Sequence, residues 1–524
     1  MEQTATKKKS PMLLIILVVA ALVVIGGSAS AFFILNKSPK VQYFLAESKT
    51  IEEMKTLFDG RYKNEVNWAK VQREKPVETI YDLSAEWNDP SADYEMQEIQ
   101  SIINSVALSM KQVKDPVKKE LEFEMGGEFG SVSTKLVTLF GTPEKVLFTF
   151  PFMDDYIRFN DADFGKLMKE VDEGYNGDEK LGLSYLFDDN FLTAQELRTY
   201  IGTEYVEYLV KEIPEDAFSS EKEELDILGE KKKTTKVVMD LSEKQVKTLL
   251  KNIFKKAKDD EKLKEAIKEQ IAFRTFGEEV SSLEVKEMIE EFEGGLEEVV
   301  GEVDSWNIPN GVQSTIWHDS NIIVKREFTF SVGEDKDDVE TLTVEGTQLL
   351  EKTKQKWDYS FTFEDSYGDE EILKTEGDLT WKDQKSDDMI SLTMDDTKFI
   401  YKGKEALKGK KRTFTRSFGF TDGDIDPAVI WSGTATHEKD SVKANHEFTI
   451  SEESLGENMF NLMLKQQGKV VKKVEMPKET EDTVNLGDMD IDEIMKYYEV
   501  NFMPKFEGWM YGVMGEVQGE LSDL

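Results

Sequence analysis

The sequence contains no cysteine. That removes disulfides, thiolate nucleophiles and cysteine-ligated metals, and it excludes a lipidated N-terminal cysteine. Histidine is nearly absent: His318, His437 and His446 are the whole set. No H-E-x-x-H helix, G-x-S-x-G elbow, P-loop or G-x-G-x-x-G fingerprint occurs. His318-Asp319 has the composition of half a triad, but a histidine at a hairpin end needs no catalytic role. Bases are also in deficit, 66 against 105 acids, for a net charge of −39. Five of the bases and one acid lie at or before Lys40, so 61 bases and 104 acids lie beyond it, near −43. Such a surface repels phosphate backbones and anionic head groups, which argues against a nucleic-acid partner. With so many acids, close carboxylate pairs arise everywhere and do not mark a glycosidase.

Against this polar background stands one long uncharged run, Met12–Leu35. A bilayer core takes about 20 apolar residues as a helix, and a helix satisfies its own backbone in lipid. Lys7, Lys8 and Lys9 precede the run, and Lys37 and Lys40 follow it. The charge bias predicts an N-terminus in the cytoplasm and the bulk of the chain outside it. A cleaved signal peptide is the competing reading, with Ala29-Ser30-Ala31 as the cleavage site. Phe32–Leu35 carry the run past that site, beyond an ordinary h-region of about 7–15 residues. The retained anchor is therefore preferred, and either reading exports the chain. A cysteine-free exported protein of this length suits a bacterial cell envelope.

The expected organisation is a cytoplasmic tail (1–11), a transmembrane helix (12–35) and a juxtamembrane connector (36–48). A helix-rich part (49–305) follows, with a short β-meander at 120–159. Then come an antiparallel β-rich part (306–475) and a C-terminal amphipathic helix with an aromatic and methionine tail (476–524). Thr50/Glu53, Thr193/Glu196, Ser242/Gln245 and Ser281/Glu284 have capping-box spacing. Met96, Ile99, Ile102, Ile103, Val106 and Met110 predict one helix face. Leu121, Phe123 and Met125 alternate with glutamates as a half-buried strand, with a turn at Gly126-Gly127. After Asn310 eight strands are expected between Ile322 and Ile450. Ile308-Pro309-Asn310 is either a domain boundary or a loop within one sheet. Pro504 is expected to break the C-terminal helix.

Three candidate sites emerge. Asp422, Asp424 and Asp426 open like a calcium loop, but Pro427 stands where the turn glycine belongs and Gly433 where the bidentate glutamate belongs. A solvated loop is the plainer reading. Asp488, Asp490, Asp492 and Glu499 have similar spacing, with Glu493 at the glycine position. No other cofactor is suggested. Met495, Tyr498, Phe502, Phe506, Trp509 and Met510 could line a site for a hydrophobic ligand, since methionine adapts to irregular partners. Core packing is the competing reading.

The order of elements from Glu120 to Ile450 resembles the LolA/LppX-type envelope lipoprotein-carrier fold. The resemblance implies a strongly curved antiparallel sheet wrapping helices around an apolar cavity for lipid or acyl chains. That superfamily has no residue motif to carry over, and this chain is longer. The lysine triplet, the span and Lys40-Val41-Gln42-Tyr43-Phe44-Leu45-Ala46-Glu47 are similar to uncharacterised single-pass envelope proteins of Bacillus-type bacteria, which implies location but no chemistry.

The expected fold is α+β, a large curved antiparallel sheet packed against amphipathic helices. The first expected function is a non-enzymatic envelope protein binding a lipid or other hydrophobic ligand. A structural or sensory ectodomain binding another envelope protein is the second, and an exported carboxylate-based hydrolase the third.

Overall fold

Two-residue alternation is the dominant local signal beyond Val77, and it builds most of the molecule. The computed structural model describes residues 38–172, 174–187, 197, 199–274, 282–422, 424–451, 459–480 and 482–523. The Met12–Leu35 run lies outside them. Among the described residues no helix is long and apolar enough to cross a membrane.

The architecture is α+β. A first group of strands holds β1 (Val77–Trp87), β2 (Val106–Asp115), β3 (Glu120–Phe129), β4 (Val132–Gly141), β5 (Lys145–Thr149) and β6 (Ile157–Asn160). A second begins with β7 (Phe218–Ile227), β8 (Glu230–Leu241), β9 (Val312–Asp319), β10 (Ile322–Gly333) and β11 (Val339–Glu351). It continues through β12 (Lys354–Glu364), β13 (Glu370–Thr380), β14 (Lys385–Met394) and β15 (Thr397–Lys408). It ends with β16 (Lys411–Asp422), β17 (Asp424–His437), β18 (Ser441–Ser451) and β19 (Phe460–Val470). Within each group every strand pairs antiparallel with its successor. β19 then returns to β1 over the whole of Val77–Trp87 and joins the groups. A two-residue strand, β20 (Val484–Asn485), adds in parallel to β6. The result is one 20-stranded sheet. Its ends, β7 and β20, do not pair with each other, so it stays unclosed. β8 pairs with β9 across residues 242–311, so Ile308-Pro309-Asn310 lies in a connection inside one sheet.

Several helices accompany the sheet. α1 (Pro39–Arg61) and α2 (Lys63–Glu74) lead the described chain. Helix begins at Pro39, which corrects the connector expected through residue 48. Ser38 caps it by accepting the Val41 N–H, and proline is pre-organised for a first turn. Burial of Val41, Tyr43, Phe44 and Ala46 fixes it there. α3 (Tyr94–Ser105) ends earlier than its periodicity predicts. Val106 and Met110 belong to β2 because pairing with β1 and β3 outweighs local spacing. Gly126 and Gly127 lie inside β3, and the turn is one hairpin step later at Gly130, where φ is +58°. α4 (Phe164–Val171) and α5 (Glu207–Glu212) follow. The Thr193/Glu196 pair lies outside the described residues. α6 (Glu243–Lys258) starts with the expected capping box of Ser242 and Gln245. α7 (Glu261–Arg274) and α8 (Ser282–Glu302) complete the insertion. At the C-terminus α9 (Ile491–Tyr497) passes through a π-turn at Tyr498–Phe502 into α10 (Met503–Asp523). Pro504 therefore does not break the helix. It sits in the first turn of α10, where the wide π-turn relieves its clash with the preceding carbonyls.

The main core lies at the β7–β11 end. Tyr43, Phe44, Met239, Leu250, Ile316 and Phe330 meet there, supplied by α1, α6 and the curled sheet. The curl brings Ile227 of β7 against Leu349 of β11. Further along, Trp357 lies across Gly377, where a Cβ would stand 2.3 Å from the indole ring. Gly377→Ala is therefore expected to lower stability by about 1–3 kcal/mol. A reduced urea midpoint would show it, and an unchanged midpoint would mean the ring is free to move aside.

Candidate functional site

Register decides which side chains share a face. Phe330 stands opposite Leu342, and Leu342 opposite Phe363. Leu373 stands opposite Met394, Leu392 opposite Phe399, and Phe399 opposite Phe420. The ladder runs on through Phe418, Val429, Ile450, Phe460 and Trp87. Leu83 with Leu108, and Met110 with Met125, carry it into β3. Intervening residues such as Lys402, Thr415, Asn445 and Lys465 take the opposite face. From β11 to β1 the apolar face spans ten adjacent strands, about 43 Å at ~4.8 Å per strand.

An apolar sheet face of this kind is ordinarily covered. Here the helices cover its margins. The first half of α1 is pinned over β9 and β10: the Tyr43 hydroxyl lies 2.6 Å from Ser314 Oγ, and Thr50 Oγ1 accepts the Ile323 N–H at 2.9 Å. Trp68 of α2 packs against Val77 and Val442 at the start of β1 and β18. α3 closes on the other end of β1, where Asn104 bonds both the N–H and the C=O of Trp87. In between, the face is open. Leu392 is 40% exposed, Met394 56%, Phe420 62%, Val429 43% and Ile450 45%. Met54 and Phe58 of α1, between the anchors Thr50 and Arg61, are exposed as well. The arrangement is a trough: an apolar floor with one helical wall. At the core end a small, partly open apolar pocket of about 50 Å³ lies between α1, α6 and β8. It is too small for a chain of methylenes.

One wall is locked by charge. Arg61 makes paired contacts with the Asp388 carboxylate. Glu405, fully buried, receives Arg412 Nη1 at 2.7 Å and Arg416 Nε at 3.0 Å. Arg412 also donates to Glu65 Oε1 at 2.6 Å and to the Arg61 carbonyl at 2.7 Å. Burial alone would push the Glu405 carboxyl up. The hydrogen bonds and charges of Arg416, Arg61 and Arg412 outweigh it and hold the carboxyl below its ordinary value. This network ties α1 and α2 to β14–β16.

A second buried pair, Glu47 with Arg326 at 2.6 Å, sits under α1. Glu47 Oε1 and Arg326 Nη1 have no partner there. Burial raises the Glu47 carboxyl, with the Arg326 charge opposing.

The histidines do not form a triad. His318 is buried and its Nδ1 accepts the Asn321 N–H at 3.3 Å. Burial first, then the Lys222 charge, lower its pKa from 6.5 to about 4. The imidazole is neutral in the fold, so its contribution to stability is complete above pH 6.5 and declines between 6.5 and about 4. An NMR titration of the His318 ring is expected to give a midpoint near 4, and a midpoint at 6.5 would contradict the burial. His446 Nδ1 accepts the Trp431 indole N–H at 3.2 Å.

The residues singled out from sequence fall into three groups. Phe502, Phe506 and Trp509 pack on Phe152, 5.2–5.7 Å between ring centroids, and so cap the far end of the sheet face. Met510 is half-buried beside them, while Met495 and Tyr498 are exposed on α9 and the π-turn. Asp422 and Asp424 pair across the tight end of the β16–β17 hairpin, with Asp426 two residues on in β17. Asp490 is an N-cap, accepting the Glu493 N–H at 2.8 Å. Among the described residues no group of three acids or histidines is gathered around a metal-sized gap. Sequence reasoning passed over the trough floor itself. Its signal was present in the alternation of β14–β18, but exposure is a property of what fails to cover a face.

The chain matches no protein-family model and no curated protein sequence.

Proposed function

We propose that this chain is a non-enzymatic, membrane-anchored extracytoplasmic protein of the bacterial envelope that holds lipid acyl chains in the trough. The observation that carries the reading is the open row from Leu392 to Ile450, apolar, continuous across strands and bordered by polar rims. Exposed apolar area on this scale marks an interaction surface. A row perpendicular to the strands suits a linear chain, and the open floor from β14 to β18, about 19 Å at ~4.8 Å per strand, exceeds the ~15 Å of one leaflet's hydrocarbon. The LolA/LppX-type likeness points the same way. With a span ending at Leu35 and α1 starting at Pro39, four residue steps, at most about 14 Å, separate the bilayer from the start of α1, whose far end at Arg61 borders the trough.

A second reading rests on α3, whose Met96, Ile99 and Ile102 are exposed beside the trough. They suit a protein partner at that end, as in the ectodomain reading. Organic extraction of the chain from Ser38 onward, purified without detergent, separates the two by mass spectrometry. Stoichiometric lipid supports acyl binding, and a lipid-free, stable protein moves the weight to a protein partner.

A further inference from the structure

The two rims of the trough differ in charge and in how that charge is used. Hairpin turns alternate between the rims. On one rim lie the loops 334–338, 365–369 and 395–396 and the Asp422–Asp424 turn. They carry Asp337, Asp338, Asp369, Asp395 and Asp396 among other acids, against the single base Lys336. The opposite rim holds the turns with Lys352, Lys382, Lys408, Lys410 and Lys411. There α1 and α2 dock, and Arg61, Arg412 and Arg416 are neutralised by Asp388, Glu405 and Glu65. Among the described residues Asp337, Asp369, Asp395 and Asp396 form no ion pair. The exposed floor runs along this unpaired rim: Met394 immediately precedes Asp395, and Phe420 stands two residues before Asp422.

We infer that the occupant of the trough is a lipid-type amphiphile with a positively charged headgroup, its chain on Leu392, Met394, Phe420, Val429 and Ile450 and its cationic end at the carboxylate rim. This rests on the acyl-binding reading above and adds the headgroup class. An anionic headgroup at the open rim meets like charge from every charged group of those loops but Lys336. Turned the other way, it would lie at the rim where α1 and α2 dock, away from the exposed floor, with Arg61, Arg412 and Arg416 already paired and only the turn lysines left to meet it. Several carboxylates with no counter-charge, fringing an apolar surface, concentrate cations there.

The test uses the full chain in nanodiscs of neutral lipid, with EDTA present. Three photoreactive alkyl diazirines of equal chain length carry trimethylammonium, sulfate or maltoside heads. Labelling of the β14–β18 peptides is read by mass spectrometry. The cationic probe is expected to label them at least about tenfold more than the sulfate probe at 10 mM salt. The preference should collapse at 1 M, where the Debye length falls from about 30 to 3 Å. Combined Asp337→Lys, Asp369→Lys, Asp395→Lys and Asp396→Lys is expected to reverse the order and leave the maltoside probe unchanged. The four Asn replacements, which are milder for folding, should abolish the preference without reversing it. Four Glu→Lys changes on α8, at Glu290, Glu291, Glu297 and Glu298, control for net charge and should not alter the order. Equal or stronger labelling by the sulfate probe overturns the inference, as does a preference that survives the rim changes. If none of the three probes labels the trough, the acyl-binding reading itself has failed, and the inference falls with it.

Discussion

Lysine placed at Leu392, Phe420 and Ile450 is expected to abolish acyl-chain binding while the protein stays folded. All three side chains are exposed on the trough floor, so their replacement leaves no buried cavity. Substitutions at such positions usually change stability by no more than about 0.5 kcal/mol each. A bound chain, by contrast, gains about 0.8 kcal/mol per buried methylene and would have to desolvate the new ammonium groups. A loss of roughly 2–3 kcal/mol follows, about 30- to 140-fold in Kd, for a neutral fluorescent alkyl probe. Met389→Lys is the matched control. Met389 is equally exposed on β14 but occupies the opposite face, so it should leave the affinity unchanged. Equal losses at Met389 and Leu392 would mean that the probe reports surface charge and not the trough.

The second large effect concerns the wall. Glu405→Ala removes the one carboxylate that Arg412 and Arg416 both reach, and leaves buried guanidinium charge uncompensated. Breaking a buried ionic network from one side typically costs about 3–5 kcal/mol. Urea unfolding of Glu405→Ala is expected to show a loss of that size, and α1 and α2 should lose hydrogen-exchange protection before the β7–β11 core does. A loss below about 1 kcal/mol would class the network with exposed surface pairs. The pH dependence has a defined sign. Glu405 titrates below its ordinary value in the fold. Its stabilisation is complete above the unfolded carboxylate range, near pH 4.3, and is lost as pH falls through the folded value. The wild type should therefore lose wall stability only in acid, and the alanine variant should lack that component of the acid transition.

Much of the fold was legible because alternation and capping are local. Leu121-Phe123-Met125, the Ser242/Gln245 box and the eight strands expected between Ile322 and Ile450 stand where their spacing places them, with β15 as a ninth among them. What was missed depends on contacts distant in sequence. β1 carries Ser, Asp and Glu among its apolar residues and becomes a strand because β2 and β19 flank it. Glutamate-rich β7, the lysine-rich start of β8 and lysine-rich β15 pair through a polar face that periodicity reads as loop, and only Val237, Met239 and Leu241 of β8 alternate legibly. Val106 and Met110 fit a helix stripe equally well until β3 claims them. The tail residues Phe502, Phe506 and Trp509 read as a ligand site because their partners, Phe150 and Phe152, lie some 350 residues earlier. The trough was illegible for a related reason. Leu392 and Phe420 look in sequence like core residues of strands, and only the path of α1 and α2 along one margin leaves them open.

The most direct test of acyl binding is native mass spectrometry of the chain from Ser38 onward, expressed in bacteria and never exposed to detergent, beside its Leu392→Lys, Phe420→Lys, Ile450→Lys variant. Acyl binding in the trough predicts a wild-type peak carrying one or more lipids and a folded variant carrying none. A lipid-free wild type, or lipid retained equally by the variant, would contradict it.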